Sequence, residues 1–548
     1  MQLSKYQEEI LNYFSENKQK NIGVSAFAGT GKTFIIERMT EISDTRDIYL
    51  AFNNTIAEEF KTKIKNPKTS VMTVHALAYS IMNYNLSKSC SGSGKGGAVG
   101  VIRESPNRVS ASLDNLKIYK IIDDFLDATD ASFKEKTFLR NSFYELYNKC
   151  RVTLTNFDDT NGLLKLINEY NLFDSTFYGP ECEIPTIKSI ASWLKKIDEI
   201  SLKEFSKNKS IDFTDMLYIT YLKLKSGEWK PSDKQIYYNV YLDEAQDNNK
   251  LQINFLKYVK HTDGRYIFVY DKKQSCYLFN GADAYALDEI EKLYSPIENF
   301  TLPVNYRCPT SHLKLVNDEF GIPIEPRKDA PKGKIVTIKK NDIYKYVKPG
   351  DMVVSRKNKW LSDVVTELTM HNIPIFIHDK DMVSQVKRIV KYKKSSDLTI
   401  LCKQLRKDIK NYREFIQNQV SVLAKNNGMT EAMIKLENTS SQMDCTYFLL
   451  DLVENFIKEY HNIGIRDFST YLDKVLSVTP SPKAVMLSSV HKAKGLEAEN
   501  VFVLNEGKVC EDERNSPEQD QQEKNLRYIS ITRAKNTLYF VKEEEKNV

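Results

Sequence analysis

The feature that most constrains this chain is AFAGTGKTF at 26–34. It follows the apolar run IGVSA (22–26) and precedes IIERMTEI, a helical pattern. Strand, glycine-rich turn and helix in that order make a phosphate cradle. Glycines let backbone N–H groups wrap the phosphates, and the helix N-terminus adds a positive dipole. Lysine neutralises the terminal phosphates, and a Ser or Thr hydroxyl holds Mg²⁺. Here Ala28, Gly29, Thr30 and Gly31 form the cradle, Lys32 supplies the charge and Thr33 the hydroxyl. Ala26 stands where the common pattern has its first glycine. A GKT can occur by chance in a glycine-rich turn, but the strand before it and the helix after it select the phosphate reading. The ligand implied is a nucleoside triphosphate.

Such a loop requires a parallel α/β unit around it, and the chain supplies the strands. IYLAF (48–52), YNVYLDE (238–244) and RYIFVYD (265–271) are apolar and β-branched or aromatic. KIVTI (334–338), DMVVS (351–355), AVMLSSV (484–490), NVFVL (500–504) and TLYFV (537–541) are similar. Buried strands separated by helical patterns predict parallel sheets, and the strands fall into two sets, before and after about residue 310. Two long helical segments interrupt them, 86–208 and the lysine-rich 380–478. We therefore expect an α/β fold of two domains. The first covers 1–85 and 209–310 around the insertion 86–208, and the second covers 311–379 and 479–548 around the insertion 380–478.

Composition narrows the class. With 79 basic and 73 acidic residues the net charge is +6, which permits a nucleic-acid partner without requiring one. The eight cysteines are scattered, with no C-x-x-C spacing, so neither a disulfide framework nor a zinc or iron–sulfur site is expected. No apolar run approaches the roughly 18 residues needed to span a bilayer, and the start reads as an amphipathic helix. A cytoplasmic protein of a bacterial or phage-infected cell is expected, without a membrane partner.

The second half of a nucleotide site is YLDEAQD (241–247). An apolar strand delivers Asp243, suited to hold Mg²⁺ through water, and Glu244, suited to orient and deprotonate the attacking water. Phosphoryl transfer also needs positive charge at the γ-phosphate. Arg307 in LPVNYRCP (302–309) and Arg533 in YISITRAKNTL (528–538) are the candidates.

Together these motifs resemble the superfamily 1 helicases of the UvrD/Rep type, in order and across both α/β domains. The resemblance implies two RecA-like P-loop NTPase domains, ATP as the nucleotide, and single-stranded DNA as the track. Gln7 in LSKYQEEIL is similar to the glutamine that reads adenine. Gln274 in YDKKQSCYLFNGA (270–282) resembles the γ-phosphate sensor, and Tyr306 the residue that stacks on adenine. SSVHKAKGLEAENVFVL (488–504) resembles a DNA- and ribose-contacting motif, in which Gly495 and Glu497 are the nucleotide positions, Glu497 facing the ribose. Arg307 and Arg533 match the two arginine motifs.

The DNA residues come from the same comparison. Phe52, Asn54, Thr73, His75, Arg356 in SRKN (355–358) and His491 match DNA-contacting motifs. Tyr277 and Phe279 are aromatics next to the γ-phosphate sensor, and stacking on bases is how strand-tracking motors couple the two sites. IDFTDMLYI (211–219) also resembles a family motif, of undefined role. Asn280 where the family has arginine, Tyr270 where it has glycine, and Phe34 after GKT are departures that leave the catalytic set whole. The segment 380–478 is short beside the corresponding insertion of typical relatives, and no fused nuclease is expected after TLYFV.

The resemblance implies 3′→5′ movement, duplex unwinding, and binding at single-strand/duplex junctions, with replication or recombination proteins as partners. A translocase that displaces bound proteins with little unwinding has the same motor. A nucleotide-switched binding module would lack part of the catalytic set, and RNA remains a lesser alternative as track. Repair, recombination, phage or plasmid replication and defence all use this engine.

Overall fold

The structure, a computed structural model, describes residues 3–90, 110–128, 132–170, 172–173, 184–275, 286–393, 395, 397–426, 445–458, 464–476, 479, 481–505 and 517–542. Chain contacts divide it into two units. One comprises Met1–Ala26 and Gly31–Leu302, and the other Phe27–Thr30 and Pro303–Val548.

The first unit is built on a six-stranded parallel sheet. Its strand order is Thr69–Thr73, Asp47–Ala51, Tyr237–Leu242, Lys260–Tyr270, Asn21–Ala26, Ile297–Leu302. Successive side chains point to opposite faces of a strand, and both faces here are covered. Tyr241, Ile267, Val269 and Tyr49 enter one core with Ile10, Phe14, Ile35 and Met39. Their chain neighbours Val240, Leu242, Tyr266, Phe268, Ile48 and Leu50 enter the other, with Leu77, Ile81 and Leu217. This explains why the strands read as continuous apolar runs.

Strand order positions the chemistry. The strand before the phosphate loop, the strand ending at Tyr270 and the strand ending at Leu242 are consecutive neighbours. Their carboxyl ends therefore bring Gly31–Thr33, Asp271–Gln274 and Asp243–Glu244 side by side, where parallel sheets bind ligands.

Helices Lys117–Asp127, Phe133–Thr153, Thr160–Glu169 and Ile187–Asn208 pack around a core of their own, including Ile118, Ile122, Phe138, Phe143, Leu146, Leu163 and Leu194. A buried charge cluster ties them to the turn Asp212–Asp215. Arg151 donates to Asp212 Oδ2 and Asp215 Oδ1, each at 2.7 Å, and Lys117 Nζ reaches Asp215 Oδ2 at 2.7 Å. Two cations against two carboxylates leave the cluster neutral, which is what lets charges sit in a core.

The second unit holds another six-stranded parallel sheet, in the order Lys334–Lys339, Ala534–Lys542, Ala498–Leu504, Met352–Ser355, Val485–Ser489, Ile375–Ile377. The described helices within 380–478 share one apolar core with this sheet: Leu401, Leu405, Phe448 and Phe468 belong with Val353, Leu487 and Phe502. Among the described residues no helix is long and apolar enough to cross a membrane.

Candidate functional site

Gly31 caps helix Lys32–Ile42 with a left-handed φ of 90°, a conformation that suits glycine and frees the first turn's N–H groups to face a ligand. Lys32 Nζ, buried, lies 3.1 Å from Glu244 Oε1 and has no partner with hydrogen-bond geometry among the described residues. That ammonium at a helix N-terminus fits a phosphate. Thr33 follows in the same first turn.

Asp243, immediately after strand Tyr237–Leu242, is buried. The Tyr49 hydroxyl donates to its Oδ2 at 2.6 Å and the Glu244 N–H to its Oδ1 at 2.9 Å. Burial, reinforced by the neighbouring Glu244 carboxylate, pushes Asp243 up to about 6, while Lys32 opposes the shift. Glu244 adopts a left-handed φ of 49°, uncommon for a non-glycine residue and typical of functional turns.

A side-chain relay joins this carboxylate to the next strand. Gln246 Nε2 donates to Glu244 Oε2 at 2.6 Å, and Gln246 Oε1 accepts from the Asp271 N–H at 3.1 Å. Gln274 Nε2 donates to Asp271 Oδ2 at 2.7 Å. Buried Gln7 closes the capping box of helix Lys5–Glu16, its Oε1 accepting from the Ser4 N–H at 3.0 Å. Its Nε2 is so near Gly31 that a Cβ there would lie 3.3 Å away. The expected residues Gln7, Gly31, Lys32, Thr33, Asp243, Glu244 and Gln274 thus gather in the first unit.

In the second unit, the Tyr306 N–H donates to Gly29 O at 2.8 Å and the Ala28 N–H to the Tyr528 hydroxyl at 2.8 Å. Thr30 closes the same turn on Phe27 O. Arg307 Nε donates to Glu497 Oε2 at 2.5 Å, and Gly495 nearby has a φ of 84°. Arg533 is 1% exposed. Its guanidinium donates to Ile529 O, Leu496 O and Thr532 Oγ1 at 2.9–3.2 Å. Arg356 forms a bidentate pair with Glu523 at 2.6–3.0 Å. Burial, with Arg356 and Lys492 nearby, pushes His491 down to about 3, so it is neutral at physiological pH.

Of the expected DNA residues, Thr73 caps helix Val74–Cys90, its hydroxyl accepting from the Ala76 N–H at 3.2 Å. Phe52 is half-buried and Asn54 exposed. Burial pushes His75 down to about 4, and its ring stacks on Phe213, centroids 4.4 Å apart. Tyr277 and Phe279 lie outside the described residues.

Residues 4–295 match the family model described as the UvrD/REP helicase N-terminal domain, just over half of the 548 residues. The chain belongs to the UvrD/Rep helicase family. A probable DNA helicase II homolog of Mycoplasma capricolum is 24% identical over 428 residues, 61% of this chain and 59% of that protein. The ATP-dependent DNA helicase PcrA of Staphylococcus epidermidis is 28% identical over 120 residues, 21% of this chain and 16% of that protein. PcrA of Staphylococcus aureus is 29% identical over 120 residues, with the same shares. The chain thus matches 16% of the length of the PcrA proteins and 59% of the Mycoplasma protein.

The motifs of this UvrD/Rep chain do not mark several supporting residues. Gln246 and Asp271 lie inside quoted motifs, and the D-x-x-Q spacing of Asp271 and Gln274 was the available signal. Tyr49 looked like any strand aromatic. Buried Asn305 accepts the N–H groups of Arg307 and Cys308 and donates to Ala28 O, so it shapes the arginine turn. Phe213, 55% exposed, is the aromatic of the IDFTD motif whose role the sequence left open.

Proposed function

We propose that this chain is an ATP-dependent DNA helicase that moves on single-stranded DNA, 3′→5′. The observation that carries the reading is the line Lys32–Glu244–Gln246–Asp271–Gln274 at the ends of adjacent strands. It supports a reading in which a phosphate-binding cation, a water-activating carboxylate and a γ-phosphate sensor share one network. Lys32 would neutralise the terminal phosphates, Glu244 would orient the attacking water, and Arg307 and Arg533 would meet the charge developing on the γ-phosphate. Gln7 and Tyr306 would take the adenine and Glu497 the ribose.

Thr33 and Asp243 are the residues to hold Mg²⁺, Thr33 by its hydroxyl and Asp243 through water. When bound, the ion neutralises phosphate charge. The Asp243 carboxylate, fixed by Tyr49 and the Glu244 N–H, fits that task.

For DNA, the exposed Phe213 ring backed by neutral His75 is a stacking platform of the kind single strands require. Phe52, Asn54, Thr73, Tyr277, Phe279, Arg356 and His491 complete the proposed track. Single-strand/duplex junctions are the natural substrate, replication or recombination proteins the natural partners, and the bacterial relatives support action in a bacterial cytoplasm.

Unwinding of 3′-tailed against 5′-tailed duplexes, with ATPase measured with and without single-stranded DNA, tests the proposal. Loss of DNA stimulation would sink it, and preference for 5′ tails would reverse the polarity. One observation favours a second reading, a translocase that displaces proteins and unwinds poorly. The described helices of 380–478 share the sheet's core rather than one of their own. Protein displacement without strand separation in the same assays would select it.

A further inference from the structure

Arg307 and Glu497, to which the ATPase reading gives the γ-phosphate and the ribose, bind each other. Arg307 Nε donates to Glu497 Oε2 at 2.5 Å and its Nη1 to Thr532 O at 3.2 Å. Both assigned roles set the nucleotide in competition with this pair. A guanidinium held by Glu497 and Thr532 O has to exchange at least part of those bonds for a phosphate, and a ribose hydroxyl at Glu497 competes with Arg307 for the carboxylate.

Separation would strip the Glu497 carboxylate, 38% exposed, of a counter-charge, which disfavours it. A second cation is already in place. Lys535 Nζ holds the other oxygen, Glu497 Oε1, at 2.6 Å. The backbone fixes this arrangement. Lys535 lies near the start of strand Ala534–Lys542, and Glu497 immediately precedes strand Ala498–Leu504; the two strands pair in parallel with Ala498 opposite Ala534. Each carboxylate oxygen therefore carries one cation, and only one of them has to leave.

We propose that Lys535 is a positioning residue that keeps Glu497 charged and in place while Arg307 moves from it to the nucleotide, and so sets the affinity for ATP. The proposal rests on the ATPase reading above. Without Lys535, Arg307 is the only cation on Glu497 among the described residues, and ATP must break a tighter pair.

The test is steady-state ATP hydrolysis by the full chain with saturating oligo(dT). Lys535→Gln should raise KM for ATP roughly five-fold with kcat within about two-fold, and Lys535→Arg should restore KM. An unchanged KM in Lys535→Gln overturns the proposal. Glu497→Gln and Glu497→Gln/Lys535→Gln should share one KM, because Lys535 acts through Glu497. A further rise in the double variant would mean that Lys535 meets the nucleotide itself, which also overturns it. A parent protein without DNA-stimulated hydrolysis would fail at the reading beneath, and the proposal would fall with it.

Discussion

Lys32 Nζ and Glu244 Oε1 face each other at 3.1 Å, so the proposed phosphate-binding cation and the proposed water-activating carboxylate neutralise one another. In the proposed mechanism phosphate offers Lys32 a stronger partner and leaves Glu244 to water. Lys32→Ala should lower ATP turnover by at least about 10²-fold while single-stranded DNA binding persists. Phosphate release and anisotropy of a labelled oligonucleotide measure the two, and near-parental turnover would remove Lys32 from the site.

Arg533 spends its guanidinium on Ile529, Leu496 and Thr532 of its own unit. If it exchanges these for the γ-phosphate, Arg533→Ala should cut turnover by about 10³ or more. A loss in melting temperature with turnover kept would assign it to the fold instead.

The Phe213–His75 stack leaves one face of Phe213 to solvent. Phe213→Ala should weaken single-stranded DNA binding by about 1–3 kcal/mol while ATP hydrolysis without DNA stays near parental. Equal affinity in anisotropy titrations would return Phe213 to a packing role.

Arg151 is fully buried between Asp212 and Asp215. Arg151→Met leaves two carboxylates against Lys117 alone and should cost about 3–5 kcal/mol in urea unfolding. Adding Asp212→Asn rebalances the charge and should recover part of that loss. No recovery would mean that packing, not charge, is what Arg151 supplies.

Asp451 is pushed up to about 6 by burial first, with Asp363 and Glu454 adding to it, although the Ser362 hydroxyl donates to it at 3.0 Å. The folded chain therefore holds this proton more tightly than the unfolded chain, where a carboxyl titrates near about 4. Ionisation costs stability, fully above the folded value and not at all below the unfolded one. Asp451→Asn should raise the melting temperature at about pH 8 and leave it unchanged at about pH 4. A gain at both pH values would point to something other than charge.

Much of the architecture was legible because its causes are local. Apolar runs such as YNVYL make strands with both faces buried, and Gly31 and Lys32 carry the backbone freedom and charge that a phosphate loop needs. Segment 380–478 was legible as helix and not as packing. The sequence showed helices such as Leu398–Asn426, but their sharing of the sheet's core brings together residues distant in sequence, such as Leu401, Phe448 and Phe502.

The sequence by itself determined the two sets of parallel strands, the phosphate loop and the acidic strand end, because dihedral preference, alternation and capping act over a few residues. The tertiary structure alone decided which of those residues meet. Gln246 and Asp271 are 25 residues apart, and only the adjacency of two strands lets one amide bridge two strand ends. The stacking of Phe213 on His75 and the sharing of Glu497 between Arg307 and Lys535 were settled in the same way. Contacts between distant residues follow from strand order and register, which no short stretch of sequence encodes.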